Sequence, residues 1–171
     1  MAEMVDVYDC EGRPTGRSIP RDGAVMPAGE YLHYATAVVR DMEGRFLITQ
    51  RPMTKSWAAG WWELPGGGVR AGETPLEGCI REVREEIGLD VSQAPSTLLY
   101  RYRNDDASGD NYFMNIYEFR LDFCAADVRI QEEEIQDFAI ATWDDVVACE
   151  QAGEFLHFRR LACALGASTS K

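Results

Sequence analysis

Residues Thr74 to Gly88, TPLEGCIREVREEIG, constrain this chain more than any other stretch. Leu76, Ile80, Val83 and Ile87 recur at steps of four, three and four, the period of an amphipathic helix, and Gly88 is a natural stop. With Val83 at the centre of the buried stripe, the other three fall within about 60° of it at ~100° per residue. Glu86, Glu82 and Glu85 then lie at roughly −60°, −100° and −160°, on one flank, while Arg84 and Arg81 take the other. Arg81 is also four residues before Glu85, within reach of its carboxylate. Like charges so spaced cost a helix a few tenths of a kcal/mol per pair, at roughly 0.2–0.5. The crowding is therefore either a solvated charged face or a ligand set for a hard cation. Mg2+ suits the second reading, because it takes oxygen ligands and is bound through a few carboxylates plus substrate phosphates. The helix alone leaves both open.

The surroundings are those of one domain. The chain has 171 residues, 46% of them apolar, enough for a core. VDVYD and RSIP flank the turn EGRPTG and read as a small N-terminal hairpin, with a connector to residue 29. YLHYATAVVR and RFLITQR read as strands around the turn DMEG, followed by a short strand WWEL. TLLYRYR, NYFMNIYEFRLDF and DFAIATW supply later strands, and Asp144 to Leu165 reads as helix with a break at Gly153. Residues 30–165 form the main domain and 166–171 a flexible tail. This order predicts an α/β chain of α+β type, with a mixed β-sheet between helices.

The net charge of −12 argues against DNA and anionic membranes as partners, though a metal can still bring in a small phosphate ligand. Five scattered cysteines show no disulfide framework or zinc spacing, and no apolar run is long enough to span a bilayer. These features predict a cytoplasmic protein.

The residues upstream of the helix decide its reading. GGVRAGETPLEGCIREVREEIGL fits G-x5-E-x7-R-E-U-x-E-E-x-G-U, where U is a bulky aliphatic residue. Gly67, Glu73, Arg81, Glu82, Val83, Glu85, Glu86, Gly88 and Leu89 fill every specified place. This is the Nudix box, and from Tyr31 to Trp143 the strand order also resembles that of the Nudix hydrolases. The resemblance implies a loop–helix–loop that presents Glu82, Glu85 and Glu86, with the Gly67 carbonyl, to Mg2+ or Mn2+. It implies that Glu73 and Arg81 buttress the loop. A further ligand or base is expected from Glu132, Glu133 or Glu134, and Arg51, Trp57, Trp62, Arg101 and Arg103 are candidate substrate contacts. The tryptophans could stack on a nucleobase or be core material. His33 and His157 read as structural, and the cysteines as small buried hydrophobes.

The implied activity is Mg2+-dependent hydrolysis of a diphosphate bond in a nucleoside diphosphate derivative, a small-molecule substrate, with a homodimer left open. The N-terminal VDVYDCEGRPTGRSIPR followed by GEYLH resembles the branch containing isopentenyl diphosphate isomerase. That isomerase carries a catalytic cysteine segment after the loop Trp, where this chain has WWELPGGG. An isomerase-like enzyme and a non-catalytic nucleotide-sensing domain are the alternatives.

Overall fold

The computed structural model describes residues 2–167, so most of the expected tail, 168–171, lies outside the described residues. Its central strand, β3 (Leu32–Arg40), explains the architecture. Alternation along β3 sends Ala35, Ala37 and Val39 to one side and Val38 to the other, and each set joins a different core. On the first side Cys79, Val83 and Ile87 of helix α1 (Pro75–Ile87) pack on them with Leu47 and Phe119. On the second, Phe46, Ile48 and Ile116 meet Val146 and Leu161 of the C-terminal helices and Phe155 from the connection between them.

The sheet is mixed, in the order β5–β4–β3–β8–β7, with β6 on β3 and β9 on β4. β4 spans Phe46–Gln50, β5 Trp62–Glu63 and β6 Gly66–Gly68. β7 spans Ser96–Asn104, β8 Tyr112–Arg120 and β9 Asp137–Ala141. β3 and β8 run parallel from Leu32↔Tyr112 to Arg40↔Arg120. The expected β3–β4 hairpin is pinned only at Arg40↔Phe46, because the glycine strand β6 takes the same edge at Tyr34↔Gly68 to Thr36↔Gly66. GGG therefore forms a sheet strand where a turn could have stood.

β1 (Met4–Tyr8) and β2 (Pro14–Pro20) form the expected hairpin. It is docked on the domain: Val5 and Val7 pack with Met26, Leu32 and Tyr112. The C-terminal region is two helices, α2 (Trp143–Gln151) and α3 (Phe158–Ala164). They part at Gly153, whose φ of 73° is the left-handed conformation that glycine tolerates. Phe155 then bridges to Trp62, so the interruption is held to the sheet. No helix among the described residues is long and apolar enough to cross a membrane. Of the five cysteines only Cys79 is buried; Cys10 and Cys124 are exposed in or beside turns, and Cys163 is exposed on α3.

Candidate active site

Helix α1 is fixed at both ends. Thr74 caps it: its hydroxyl accepts from the Glu77 amide, and the Glu77 side chain accepts in return from the Thr74 amide. Gly88 ends it in the left-handed region, donating to the Arg84 carbonyl at 3.1 Å. The flank bearing the glutamates faces the β6 edge.

Arg81 organises that flank. Its Nε and Nη2 donate to the two carboxylate oxygens of Glu73 at 2.7 and 3.0 Å. Nη2 also reaches the Gly68 carbonyl at 2.9 Å, and Nη1 reaches Glu82 at 2.8 Å and Glu85 at 3.1 Å. One guanidinium thus ties the glycine strand, the loop and the helix together. Burial alone would raise the Glu73 pKa, but Arg81 and the Arg70 amide hold it below the ordinary value. Arg70 grips both oxygens of Glu85, at 3.0 and 3.1 Å, and also Glu3 at 2.9 Å.

Glu82 and Glu86 are different. Burial raises the Glu82 pKa against the pull of Arg81. Burial raises that of Glu86 further, helped by the Glu82 charge and opposed by one hydrogen bond, from the Gly66 amide at 3.0 Å. Gly67 leaves room for this: a Cβ there would lie 2.7 Å from Glu82 Oε1. At Gly66 a Cβ would meet the Ala35 carbonyl oxygen at 2.3 Å, so the loop can close on β3 only as glycine.

Two hollows meet at Gly66 and Gly67. An acidic cleft of about 390 Å3 is lined by Glu82, Glu85, Glu86, Glu63 and Glu134, with Arg51 and Lys55 on its rim. A more apolar cavity of about 330 Å3 lies on the α3 side of the sheet, between Met114, Ile116 and Leu161. Arg21, Arg51, Glu63, Gly66 and Gly67 line both.

Among the described residues no three His, Cys, Asp or Glu side chains form a ready-made metal cage. The donor chemistry nevertheless fits a hard cation: Glu82 and Glu86 are desolvated carboxylates holding one hydrogen bond each, from Arg81 and the Gly66 amide, beside a close backbone edge. Glu85 would have to exchange Arg70 or Arg81 for the ion.

The other expected residues separate clearly. Arg51 lines both hollows and pairs with Glu63 at 3.0 Å, and Trp57 stands at the mouth of the apolar cavity. Trp62 packs into the core beside β4 instead of reaching either hollow. Arg101 and Arg103 are turned toward the N-terminal segment: Arg101 lies over Phe113 beside Gly12, and Arg103 lies over Tyr31 and binds Asp105 and the Cys10 carbonyl. Neither lines the cleft, because β7 is the far edge strand of the sheet. Of the three consecutive glutamates only Glu134 lines the cleft, paired with Lys55; Glu132 and Glu133 are exposed outside it. Glu134→Gln is therefore expected to slow turnover at least severalfold, and Glu132→Gln and Glu133→Gln to leave it unchanged. Steady-state rates for the three variants check this, and three normal rates would remove Glu134 from the site.

His33 behaves as a structural residue, buried against Tyr8 and Phe113 and bonded to Asn115 at 3.0 Å. His157 lines the apolar cavity, which its isolation in the sequence gave no reason to expect. Arg21, Tyr34, Lys55 and Glu63 also come to the site without a sequence signal of their own.

Comparisons with known proteins show the family and the fold. The NUDIX domain family model matches residues 31–160. An 8-oxo-dGTP diphosphatase of Proteus vulgaris is 45% identical over 74 residues, 43% of this chain and 63% of that relative. An isopentenyl-diphosphate Delta-isomerase of Escherichia coli O1:K1 is 27% identical over 151 residues, 85% of this chain and 79% of its own. A crystal structure of a Deinococcus radiodurans protein superposes with a TM-score of 0.70 at 25% identity, covering 89% of this chain and 91% of its own. The chain belongs to the Nudix hydrolase family, enzymes that act on phosphoric anhydride bonds.

Proposed function

We propose that this protein hydrolyses a diphosphate bond in a nucleoside diphosphate derivative with the help of Mg2+, for which Mn2+ can substitute. The observation that carries the reading is the junction of the two hollows at Gly66–Gly67, an acidic cleft beside a part-apolar cavity. A diphosphate and an organic group joined to it call for such a pair.

Glu82, Glu85 and Glu86, with the Gly67 carbonyl, would hold the cation. Bound there, it neutralises phosphate charge and makes the attacking water more acidic. The chain's own residues do the rest. Arg51, lining both hollows, is placed to meet phosphate oxygens as the substrate crosses the junction. Arg81 and Glu73 keep the glycine edge in place. The water oxygen bonds to phosphorus as the anhydride P–O bond breaks, and the bridging oxygen leaves with the other phosphate. The water proton passes to a carboxylate of the cleft, one of the helix glutamates or Glu134.

An isomerase-like reaction finds little support among the thiols. Cys79 is fully buried on the core face of α1 with its pKa pushed up by burial, and none of the five cysteines lines either hollow. The test is a panel of nucleoside triphosphates, sugar nucleotides, dinucleotides and isopentenyl diphosphate, with Mg2+ present. Turnover of at least one nucleoside diphosphate derivative, abolished by chelator and restored by Mn2+, is expected. Undiminished turnover in excess chelator, or conversion of isopentenyl diphosphate alone, would overturn the proposal.

A further inference from the structure

Among the described residues only two that are not glycine have positive φ: Ala58, at 50°, and His157, at 60°. They are far apart in sequence, yet one lines the apolar cavity and the other adjoins a residue that does. Ala58 follows Trp57, and both Trp57 and His157 line the cavity. A left-handed backbone costs a residue with a Cβ on the order of 1–3 kcal/mol and persists where the surroundings impose it, often at ligand sites.

The two aromatic rings meet there as a tilted pair. Their centroids are 6.1 Å apart and their planes are inclined by 38°. Stacked bases lie about 3.4 Å apart, so a planar base held between two rings needs faces roughly 7 Å apart. Admitting a base therefore requires the two rings, now in tilted contact, to part. Trp57 is 59% exposed, which is unusual for the largest apolar residue. Arg51 lies over it, with its Cζ 5.4 Å from the ring centroid. On the other jaw, burial and the charges of Arg160 and Arg51 lower the His157 pKa to about 4, so its ring is neutral at physiological pH. Behind the rings, Met114, Ile116 and Leu161 give an apolar floor.

We propose that Trp57 and His157 are the two jaws of a clamp for the planar base of the substrate. This rests on the nucleoside diphosphate reading and deepens it: the base, more than the sugar, would then set substrate preference.

The test reads binding alone, with AMP and UMP as probes and ribose 5-phosphate as the base-free control. None of these contains a diphosphate bond. Isothermal titration with Mg2+ present is expected to show at least one nucleotide bound tenfold or more tighter than ribose 5-phosphate. Stacking on one aromatic is worth about 1–3 kcal/mol, roughly a five- to 150-fold change in affinity. Trp57→Ala and His157→Ala should each weaken the nucleotide by an amount in that range and leave ribose 5-phosphate unchanged, while Trp57→Phe retains most of the binding. His157→Gly should raise the melting temperature, by relieving the backbone, and still weaken the nucleotide; a merely structural histidine would not separate the two. Nucleotides bound no better than ribose 5-phosphate, or normal nucleotide affinity in both alanine variants, would overturn the clamp. A failed diphosphate panel with the nucleotide preference intact would count against the hydrolase reading alone.

Discussion

Glu86→Gln is expected to remove nearly all hydrolysis while making the metal-free protein more stable. The loss should exceed the roughly 10–100-fold that removal of an outer-shell partner costs a metal site. The stabilisation follows from the environment of the carboxylate. Burial and the neighbouring Glu82 charge raise the Glu86 pKa above the ordinary value of 4.5, and one amide hydrogen bond does not offset them. In the folded state the proton is held more tightly than in the unfolded chain. The resulting stability is fully present below the unfolded value and is lost as pH rises through the higher folded value. At neutral pH the metal-free wild type therefore carries an ionised group at a cost that glutamine removes. For a chain of this size each kcal/mol relieved raises the Tm by about 2–4 °C. Mg2+ acts in the opposite sense, favouring the ionised form, so the Mg2+-induced rise in Tm should shrink toward acid pH and be much reduced in the variant. Thermal melts at several pH values, with and without Mg2+, and rates on an active substrate check both parts. Normal turnover in the variant would remove Glu86 from the chemistry.

Replacing Arg81 should do more damage than any other single change on this helix. Its side chain is only 14% exposed, and four acceptors depend on it: Glu73, Glu82, Glu85 and the Gly68 carbonyl. Arg81→Ala takes the paired guanidinium from the half-buried Glu73 and Glu82, leaving Glu85 to Arg70, a loss on the order of 3–5 kcal/mol for breaking a buried ion pair. Arg81→Lys restores the charge but not the fork that spans both Glu73 oxygens, so it should recover only part of the stability. Denaturant unfolding of both variants, with Glu73→Gln and the double variant, measures the coupling. Additive effects in that cycle, or an Arg81→Ala protein within about 0.5 kcal/mol of wild type, would mean the network contributes little.

How much of this could be read from the chain depended on range. The α1 stripe, its capping Thr74 and its stop at Gly88 are local, and local periodicity and cap chemistry foretell them. So do the N-terminal hairpin and the break at Gly153. What local signals could not supply was pairing. Gly66 to Gly68 carry no strand signal of their own, since the β3 edge that claims them lies far back in the chain. The same limit governed the side chains: Arg101 and Arg103 are candidate substrate contacts by sequence, but β7 falls on the far edge of the sheet. His157 carried no signal, because its place beside Trp57 arises from the return of the chain after α2.

The β6 strand also divides the protein into a part that can change and a part that cannot. Stitched to β3, with Gly66 against the Ala35 carbonyl and Glu86 beneath it, the glycine edge answers to the core, and a substitution there is felt by the whole sheet. The walls answer to nothing so deep. Residues 53–60 form a surface connection, and 157–160 are the start of a short helix. New preferences for the organic half of a substrate can therefore accumulate in those segments while the bond-breaking machinery stays as it is. A designer seeking a different substrate would begin there.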